Sequence, residues 1–269
     1  MPQDLDQRIN KVVAASANVL LRHVIPLFSI RPGERPELIG TSLLVEKAGN
    51  HFLVTARHVA DHLVVPYGLS YYVATSAIHR VVGSVLHTQS HPDVLPADRY
   101  DVAIIKLPPT ALLPGVEVSK LSLPFESLQA FQFPRHSKQY LVTGFPQSRS
   151  KANPHKRLLT SEPAGFRVES ATMEQYESLG LTEQQHIVVG LDVKGMIFPD
   201  GSRRAVADPH GMSGSPLWLL FDEAGPNSRS ITPAVGVVIE YHRDKRLLVA
   251  TDIAVAIHLI NESDDAYYT

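Results

Sequence analysis

The sequence predicts an all-β protein with a helix near each end, and three patterns support this prediction. Short apolar segments rich in β-branched residues recur along most of the chain, separated by turn residues such as glycine and asparagine. These segments form two groups, one on each side of a proline-rich stretch at residues 108–138. Residues 4–22 and 253–260 instead carry apolar side chains at helical spacing. We therefore expect two β units joined by an irregular connection.

The composition favours a soluble protein without a membrane or nucleic-acid partner. The 269 residues are enough for one large domain or two small ones, and a net charge of −2 provides no electrostatic attraction for nucleic acid or an anionic bilayer. No run approaches the roughly 20 apolar residues of a transmembrane helix. The first residues lack the basic start and apolar core of a secretory signal. Because the chain also has no cysteine, we expect a cytoplasmic protein.

The first group of predicted elements comprises a helix and six strands. On the helix at residues 4–22, the apolar face consists of Leu5, Ile9, Val12, Val13, Val19 and Leu20. This face is expected to pack against a β unit. The strands are predicted at residues 27–30, 40–45, 51–55, 71–74, 80–85 and 102–107. A Gly49-Asn50 turn joins the second of these strands to the third.

The second group follows the connection and ends in a helix. Its strands are predicted at residues 139–145, 166–168, 187–191, 215–221, 235–240 and 247–251. A short helical insertion is expected at residues 172–179, between the second and third of these strands. The tail at residues 253–260 has the spacing of a helix.

Three motifs carry the functional signal. They are Thr-Ala-Arg-His at residues 55–58, Asp-Val-Ala-Ile-Ile-Lys-Leu at residues 101–107 and Gly-Met-Ser-Gly-Ser-Pro at residues 211–216. The glycines leave the hydroxyl of Ser213 uncovered and let consecutive N–H groups point into one hollow, where an oxyanion would be held. A serine hydroxyl is a poor nucleophile unless a base such as an imidazole takes its proton. His58, Asp101 and Ser213 are therefore the candidate catalytic residues.

At these three places, and in this order, the sequence resembles the trypsin-like (chymotrypsin-fold) serine peptidases. That family shows Thr-Ala-x-His, then Asp-[Ile/Val]-Ala opening an apolar strand, then Gly-[Asp/Asn]-Ser-Gly-[Gly/Ser]-Pro. The resemblance implies an all-β fold of two six-stranded antiparallel β-barrels packed around a catalytic cleft. The first barrel would span residues 24–118 and the second residues 139–251, with residues 119–138 as the connection. The helices would occupy residues 1–23 and 252–269.

The resemblance also implies a role for each site residue. Ser213 is the expected nucleophile, His58 the general base and Asp101 the group that orients the imidazole. The N–H groups of Gly211 and Ser213 would form the oxyanion hole. The implied activity is hydrolysis of a protein or peptide substrate through an acyl-enzyme, with no cofactor and no metal ion. Narrow specificity or a regulatory protein partner is expected as well, because an unrestrained peptidase would damage its own compartment.

One departure from the family concerns the residue before the serine. The animal digestive and clotting enzymes have an aspartate there, which pairs with a new N-terminus after zymogen cleavage. Met212 cannot form this ion pair, so activation by N-terminal cleavage is not expected. The resemblance is closer to the bacterial glutamyl-endopeptidase-like and HtrA-like branches. Met212 is expected to be a packing residue.

The specificity pocket is predicted from the same resemblance. Ala207 and Asp208 are expected near its base, and one wall is expected to consist of Ile239, Glu240 and Tyr241. Ala207 stands where trypsin has the aspartate that selects a basic side chain. Asp208 either favours a basic side chain or caps a turn. Tyr241 is expected to narrow the pocket, which favours a medium-sized or small substrate side chain.

Two alternatives to an active peptidase stay open. His58 and His62 have the His-x-x-acid-His spacing of a zinc site, although the acid is Asp61 rather than the usual glutamate. A binding or sensor module with little turnover would also carry the triad, if a partner switches it on. The N-terminal helix and the insertion at residues 172–179 are the candidate gating elements.

Overall fold

The chain folds mainly into antiparallel β-strands, which form two large sheets and one two-stranded ribbon. The computed structural model describes residues 13–30, 35–63, 69–73, 77–89, 99–109, 118–135, 138–153, 158–191, 196–197, 203–204, 209–222, 225–226 and 232–265. Within these ranges, no helix is long and apolar enough to cross a bilayer.

The first sheet is built from the N-terminal half of the chain. Its strands are β1 (Val24–Ser29), β2 (Glu37–Lys47), β3 (Asn50–Ala56), β4 (Leu69–Val73), β5 (Ala77–Arg80), β6 (Ser84–His87), β7 (Val102–Leu107) and β8 (Leu123–Pro124). They pair in the order β5-β4-β1-β2-β3-β7-β6, and β8 lies parallel to β2. The pairings among the described residues leave this sheet open.

The second sheet closes into a barrel. The remaining strands are β9 (Gln139–Gly144), β10 (Ser150–Asn153), β11 (Leu158–Ser161), β12 (Ala164–Ser170), β13 (His186–Gly190), β14 (Met196–Ile197), β15 (Arg203–Arg204), β16 (Pro216–Asp222), β17 (Gly225–Pro226), β18 (Ala234–His242) and β19 (Leu247–Asp252). The strands β9, β12, β13, β19, β18 and β16 pair in a closed ring of six, while β10 and β11 form the separate ribbon. The predicted six-stranded barrel is therefore confirmed for the second β unit.

Alternating side chains along the barrel strands divide the apolar core into two clusters. The cluster inside the barrel includes Tyr140, Val142, Phe166, Val168, Leu217, Leu219, Leu248 and Ala250. The intervening residues Leu141, Trp218 and Val249 belong to the other cluster, which also contains the core of the first sheet. Successive strand residues face opposite ways, so one face fills the barrel while the other contributes to the second cluster.

Five helices are described beside the sheets. They are α1 (residues 13–20), α2 (Arg57–Ala60), α3 (Val118–Leu121), α4 (Met173–Leu179) and α5 (Ala254–Asp265). The predicted insertion at residues 172–179 is confirmed as α4. Thr172 caps its N-terminus in a reciprocal pair with Gln175, and Gly180 ends it at a φ of 64°. Of the tail predicted as helical, residues 254–260 lie in α5, and Ile253 precedes it.

Helix α1 packs on the closed barrel. Val13, Ala17 and Leu20 are buried at helical spacing, and a β-carbon on Gly165 of β12 would lie 3.0 Å from that of Ala17. Val19 is 55% exposed, so its predicted place on the apolar face is wrong. The rest of the helix predicted from residue 4 lies outside the described residues.

The strand predicted at residues 80–85 is divided in the structure. Strand β5 ends at Arg80 and β6 begins at Ser84. Between them, Gly83 lies so close to β7 that an added β-carbon would come within 2.3 Å of the Lys106 carbonyl oxygen. The close backbone approach accounts for both the glycine and the break.

Candidate active site

His58 and Asp101 lie together because their strands are neighbours. Strand β3 ends at Ala56, directly before α2, and β7 begins at Val102; these two residues pair across the antiparallel strands. The imidazole Nδ1 of His58 lies 2.6 Å from Asp101 Oδ2, and the His58 backbone N–H donates to Asp101 Oδ1 at 3.0 Å. One carboxylate therefore contacts both the ring and the backbone of the histidine.

This contact sets the proton positions of a neutral His58. Because Asp101 is an acceptor, Nδ1 carries the proton and Nε2 is left as the basic nitrogen. The imidazole side chain is 50% exposed and the carboxylate 21%, so a substrate has access to the ring. The pair is thus arranged as a base and its orienting carboxylate.

Ser213 lies in a turn that is fixed against both sheets. Its carbonyl accepts from the backbone N–H of Thr41 in β2 at 2.8 Å, and the N–H of Gly214 donates to Val238 of β18 at 2.7 Å. A β-carbon on Gly214 would lie 2.2 Å from Thr55 Oγ1. The turn therefore packs against the end of β3, three residues before His58.

Glycine conformation shapes the backbone around the serine. Gly211 and Gly214 have φ values of 88° and 85°, in the region that favours glycine. The carbonyl of Gly211 accepts from Thr41 Oγ1 at 2.7 Å. Neither the N–H of Gly211 nor that of Ser213 donates to another described residue. The two donors of the predicted oxyanion hole therefore have no acceptor among the described residues.

The structure does not join His58 to Ser213 by a hydrogen bond. No hydrogen bond links Nε2 of the imidazole to the Ser213 hydroxyl among the described contacts. Such bonds are often long in a ligand-free site and shorten when substrate binds. The three predicted residues lie in neighbouring segments, and among them only His58 and Asp101 are joined by a hydrogen bond.

Met212 anchors the turn from inside the barrel. Its side chain is 1% exposed and belongs to the apolar cluster inside the barrel, and its Sδ lies 3.9 Å from Ser215 Oγ. A β-carbon on Gly144 of β9 would lie 2.7 Å from the Met212 methyl group. Met212 is the packing residue that the sequence predicts.

A hollow of about 530 Å³ opens beside the His58–Asp101 pair. Its wall includes Ile239 and Glu240, which the sequence places at a substrate pocket. The sequence did not identify the other lining residues, Arg99, Leu179, Leu181, His186 and Val249. They come from the end of α4, from β13, from β19 and from the segment before Asp101, so their meeting depends on the tertiary fold.

The structure says less about the role of the other predicted site residues. Tyr241 packs against the apolar cluster inside the barrel. Ala207 and Asp208 lie outside the described residues. His62 lies in the 3₁₀ turn that follows α2. Over the described part of the chain, no group of three His, Cys, Asp or Glu side chains is placed to hold a metal ion.

Comparison with known proteins identifies the fold. No protein-family model and no curated protein sequence matches the chain. Its structure is similar to that of neuropsin, a serine protease expressed in the limbic system of mouse brain, with a TM-score of 0.54 and 13% sequence identity. The likeness covers 92% of this chain and 96% of neuropsin. The chain therefore has the chymotrypsin-like fold that its motifs imply. A closer resemblance to the bacterial branches stays a prediction.

Proposed function

We propose that this protein is a serine endopeptidase that hydrolyses peptide bonds with Ser213, His58 and Asp101. The main support for the proposal is that the Asp101 carboxylate forms hydrogen bonds with both the ring and the backbone of His58. Nearby, a turn with two glycines of positive φ contains Ser213, and the N–H groups of Gly211 and Ser213 have no acceptor among the described residues. A base, its orienting carboxylate, a nucleophile and oxyanion donors are the components that acyl transfer needs.

The proposed reaction begins when His58 Nε2 takes the Ser213 proton and Oγ attacks the peptide carbonyl carbon. The resulting oxyanion accepts from the N–H groups of Gly211 and Ser213. His58 then returns the proton to the amine as the C–N bond breaks, leaving an acyl-enzyme. Water, deprotonated by His58, hydrolyses this ester and restores the serine. Asp101 stabilises the imidazolium in both steps.

The hollow supports the binding of an apolar side chain of a peptide substrate on the His58–Asp101 side of the site; Ser213 is not among the described residues that line it. Leu179, Leu181, Ile239 and Val249 contribute apolar surface, and the Glu240 side chain is 61% exposed. A site that buries apolar side chains discriminates by about 1–3 kcal/mol per methylene group. The expected preference for a medium-sized or small residue at the cleaved bond belongs to this proposal.

The anchoring of Met212 supports activity without N-terminal processing. Its side chain holds the oxyanion turn from within the apolar barrel, where no ion pair with a new N-terminus is needed. The enzyme is therefore proposed to be competent as synthesised.

One observation favours a second candidate. Because no hydrogen bond joins His58 to Ser213, a binding or sensor module that becomes active only with a protein partner is the alternative. In that case, binding of the partner would bring His58 Nε2 and the Ser213 hydroxyl into hydrogen-bonding geometry.

Cleavage of a peptide library tests the proposal. The wild-type protein should cut a defined set of sequences, and both Ser213→Ala and His58→Ala should lose this cleavage. A chelator should have no effect on the wild type. Loss of cleavage with the chelator, together with full cleavage by Ser213→Ala, would instead favour the zinc site at His58 and His62.

A further inference from the structure

The closed barrel holds the segment that leads into Asp101. His186 Nε2 donates to the carbonyl of Arg99 at 2.8 Å, and Thr251 Oγ1 donates to the carbonyl of Tyr100 at 2.6 Å. His186 in β13 and Thr251 in β19 are direct cross-strand partners. Two adjacent side chains of the barrel therefore bind the two consecutive carbonyls that precede Asp101.

The side chain of Tyr100 is held by the same strand region. Its ring is stacked on that of His186, with centroids 6.1 Å apart and an interplanar angle of 13°. Its hydroxyl accepts from Gln185 Nε2 at 3.0 Å. The segment is thus fixed through its backbone and through its aromatic ring.

Asp101 itself has an uncommon backbone conformation, which fixed neighbours would help to hold. Its φ is 46°, in the left-handed region that residues with a β-carbon adopt less readily than glycine. Conformations of this kind persist where the surroundings determine them. On the other side, the Arg57 N–H donates to the Asp101 carbonyl at 2.8 Å, and β7 begins at the next residue.

We infer that His186 and Thr251 are positioning residues, which set the Asp101 carboxylate against His58 by clamping the carbonyls of Arg99 and Tyr100. Neither touches the reacting atoms. The inference rests on the proposed function and adds to it a role for the second barrel in orienting the base on the first sheet. It assigns a role in the site to two residues that lie outside the three sequence motifs.

The environment of His186 suits a neutral donor. The residue is completely buried, and burial lowers its pKa, so the ring is uncharged at neutral pH. With the proton on Nε2, Nδ1 has no partner among the described residues. Among the described residues, the ring makes a single hydrogen bond, to the carbonyl of Arg99.

Isosteric variants separate positioning from folding. Thr251→Val keeps the shape and removes the donor, while Thr251→Ser keeps the donor. His186→Phe keeps a ring to stack on Tyr100 and loses the donor, and His186→Gln retains an amide N–H. Ser263→Ala is the matched control, because it also removes a buried hydroxyl that donates to a carbonyl, here within α5.

Positioning predicts a loss in kcat with KM nearly unchanged. For Thr251→Val and His186→Phe, we expect kcat to fall roughly 10- to 100-fold, the range that a small misplacement of a catalytic group produces. The unchanged KM is expected of Thr251→Val alone, because His186 also lines the hollow proposed to bind substrate. Thr251→Ser and His186→Gln should recover most of the rate. Ser263→Ala should lower the unfolding midpoint without changing kcat. If one of the two donor-removing variants does not fold, the kinetics of the other variant still test the inference.

An NMR measurement tests the inference without an assay of peptide hydrolysis. The proton between His58 Nδ1 and Asp101 should give a strongly deshielded NMR resonance, and this resonance should shift or broaden in Thr251→Val but not in Ser263→Ala. If the protein hydrolyses no peptide, this measurement still tests the clamp. An unchanged resonance together with an unchanged kcat in Thr251→Val, or a rise in KM alone in that variant, would overturn the inference.

Discussion

The Asp101 carboxylate binds His58 at two points, through the imidazole Nδ1 at 2.6 Å and through the backbone N–H at 3.0 Å. The ring is therefore fixed in position relative to its own main chain. Rotation about the side-chain bonds would break the first contact without affecting the second. This arrangement prepares Nε2 to act as a base before any substrate arrives.

Replacing Asp101 with asparagine should abolish most activity while leaving the fold intact. Asparagine also tolerates a left-handed backbone, but its amide changes the tautomer of His58. We expect kcat to fall roughly 10⁴-fold, as when the orienting carboxylate of such a triad is lost. Steady-state kinetics and the thermal unfolding midpoint measure the two effects.

Asp61→Asn is the matched control for this prediction. Asp61 is exposed at the end of α2, beside the histidine pair of the alternative zinc site. The peptidase mechanism predicts that its replacement changes kcat less than threefold. A large loss in Asp61→Asn together with a small one in Asp101→Asn would contradict the proposed roles.

Gly214→Ala should destabilise the protein far more than Gly49→Ala. Both glycines have a positive φ, 85° and 79°, so both substitutions incur backbone strain of about 1–2 kcal/mol. A β-carbon meets nothing within 4 Å at Gly49, whereas at Gly214 it would lie 2.0 Å from the Thr41 carbonyl oxygen. Overpacking should add about 1–3 kcal/mol at Gly214 and displace Ser213.

Urea unfolding and peptidase assays of the two variants provide the measurement. Gly49→Ala should retain wild-type activity. Equal losses of unfolding free energy in both variants would mean that the packing of the serine turn against β2 and β3 is looser than the structure indicates.

Met212→Ala should lower the unfolding free energy by about 2–5 kcal/mol, because it leaves a cavity inside the barrel. It should also lower kcat, since Gly211 and Ser213 flank the lost anchor. Met212→Leu preserves the volume and should cost less than about 1.5 kcal/mol. Met173→Ala, at a site that is 54% exposed, is the control and should be nearly neutral. Full activity in a folded Met212→Ala protein would exclude the anchoring role.

The stability of the fold should decrease as the pH falls from 7.5 to 5.5. Burial lowers the pKa of His186 below the value of 6.5 that the unfolded chain has. Above pH 6.5 both states are neutral at this residue, and below it the unfolded state takes up the proton first, which favours unfolding. The effect amounts to at most about 1.4 kcal/mol per pH unit for this proton.

Urea titrations at both pH values, repeated on His186→Gln, isolate this contribution. The variant should lose less stability than the wild type over the same interval. A pH dependence that is identical in the two proteins would show that His186 titrates normally in the folded state.

The sequence predicts the site better than it predicts the walls around it. His58 and Asp101 follow or precede apolar strands, so their motifs place them at strand ends that antiparallel pairing brings together. The walls of the hollow depend on register between distant segments, as with His186 and Thr251, and single-strand periodicity contains no such information. For the same reason, the sequence does not predict the close approach of Gly83 to Lys106 that divides a predicted strand.

Labelling with a fluorophosphonate tests the central claim most directly, because the reagent reacts with a serine that a neighbouring base has activated. Intact-mass and peptide mapping should find a single adduct on Ser213 in the wild type. The adduct should be absent in Ser213→Ala and strongly reduced in His58→Ala. A wild-type protein that gives no adduct, or a Ser213→Ala variant that is labelled to the same extent, would contradict the assignment of Ser213 as an activated nucleophile.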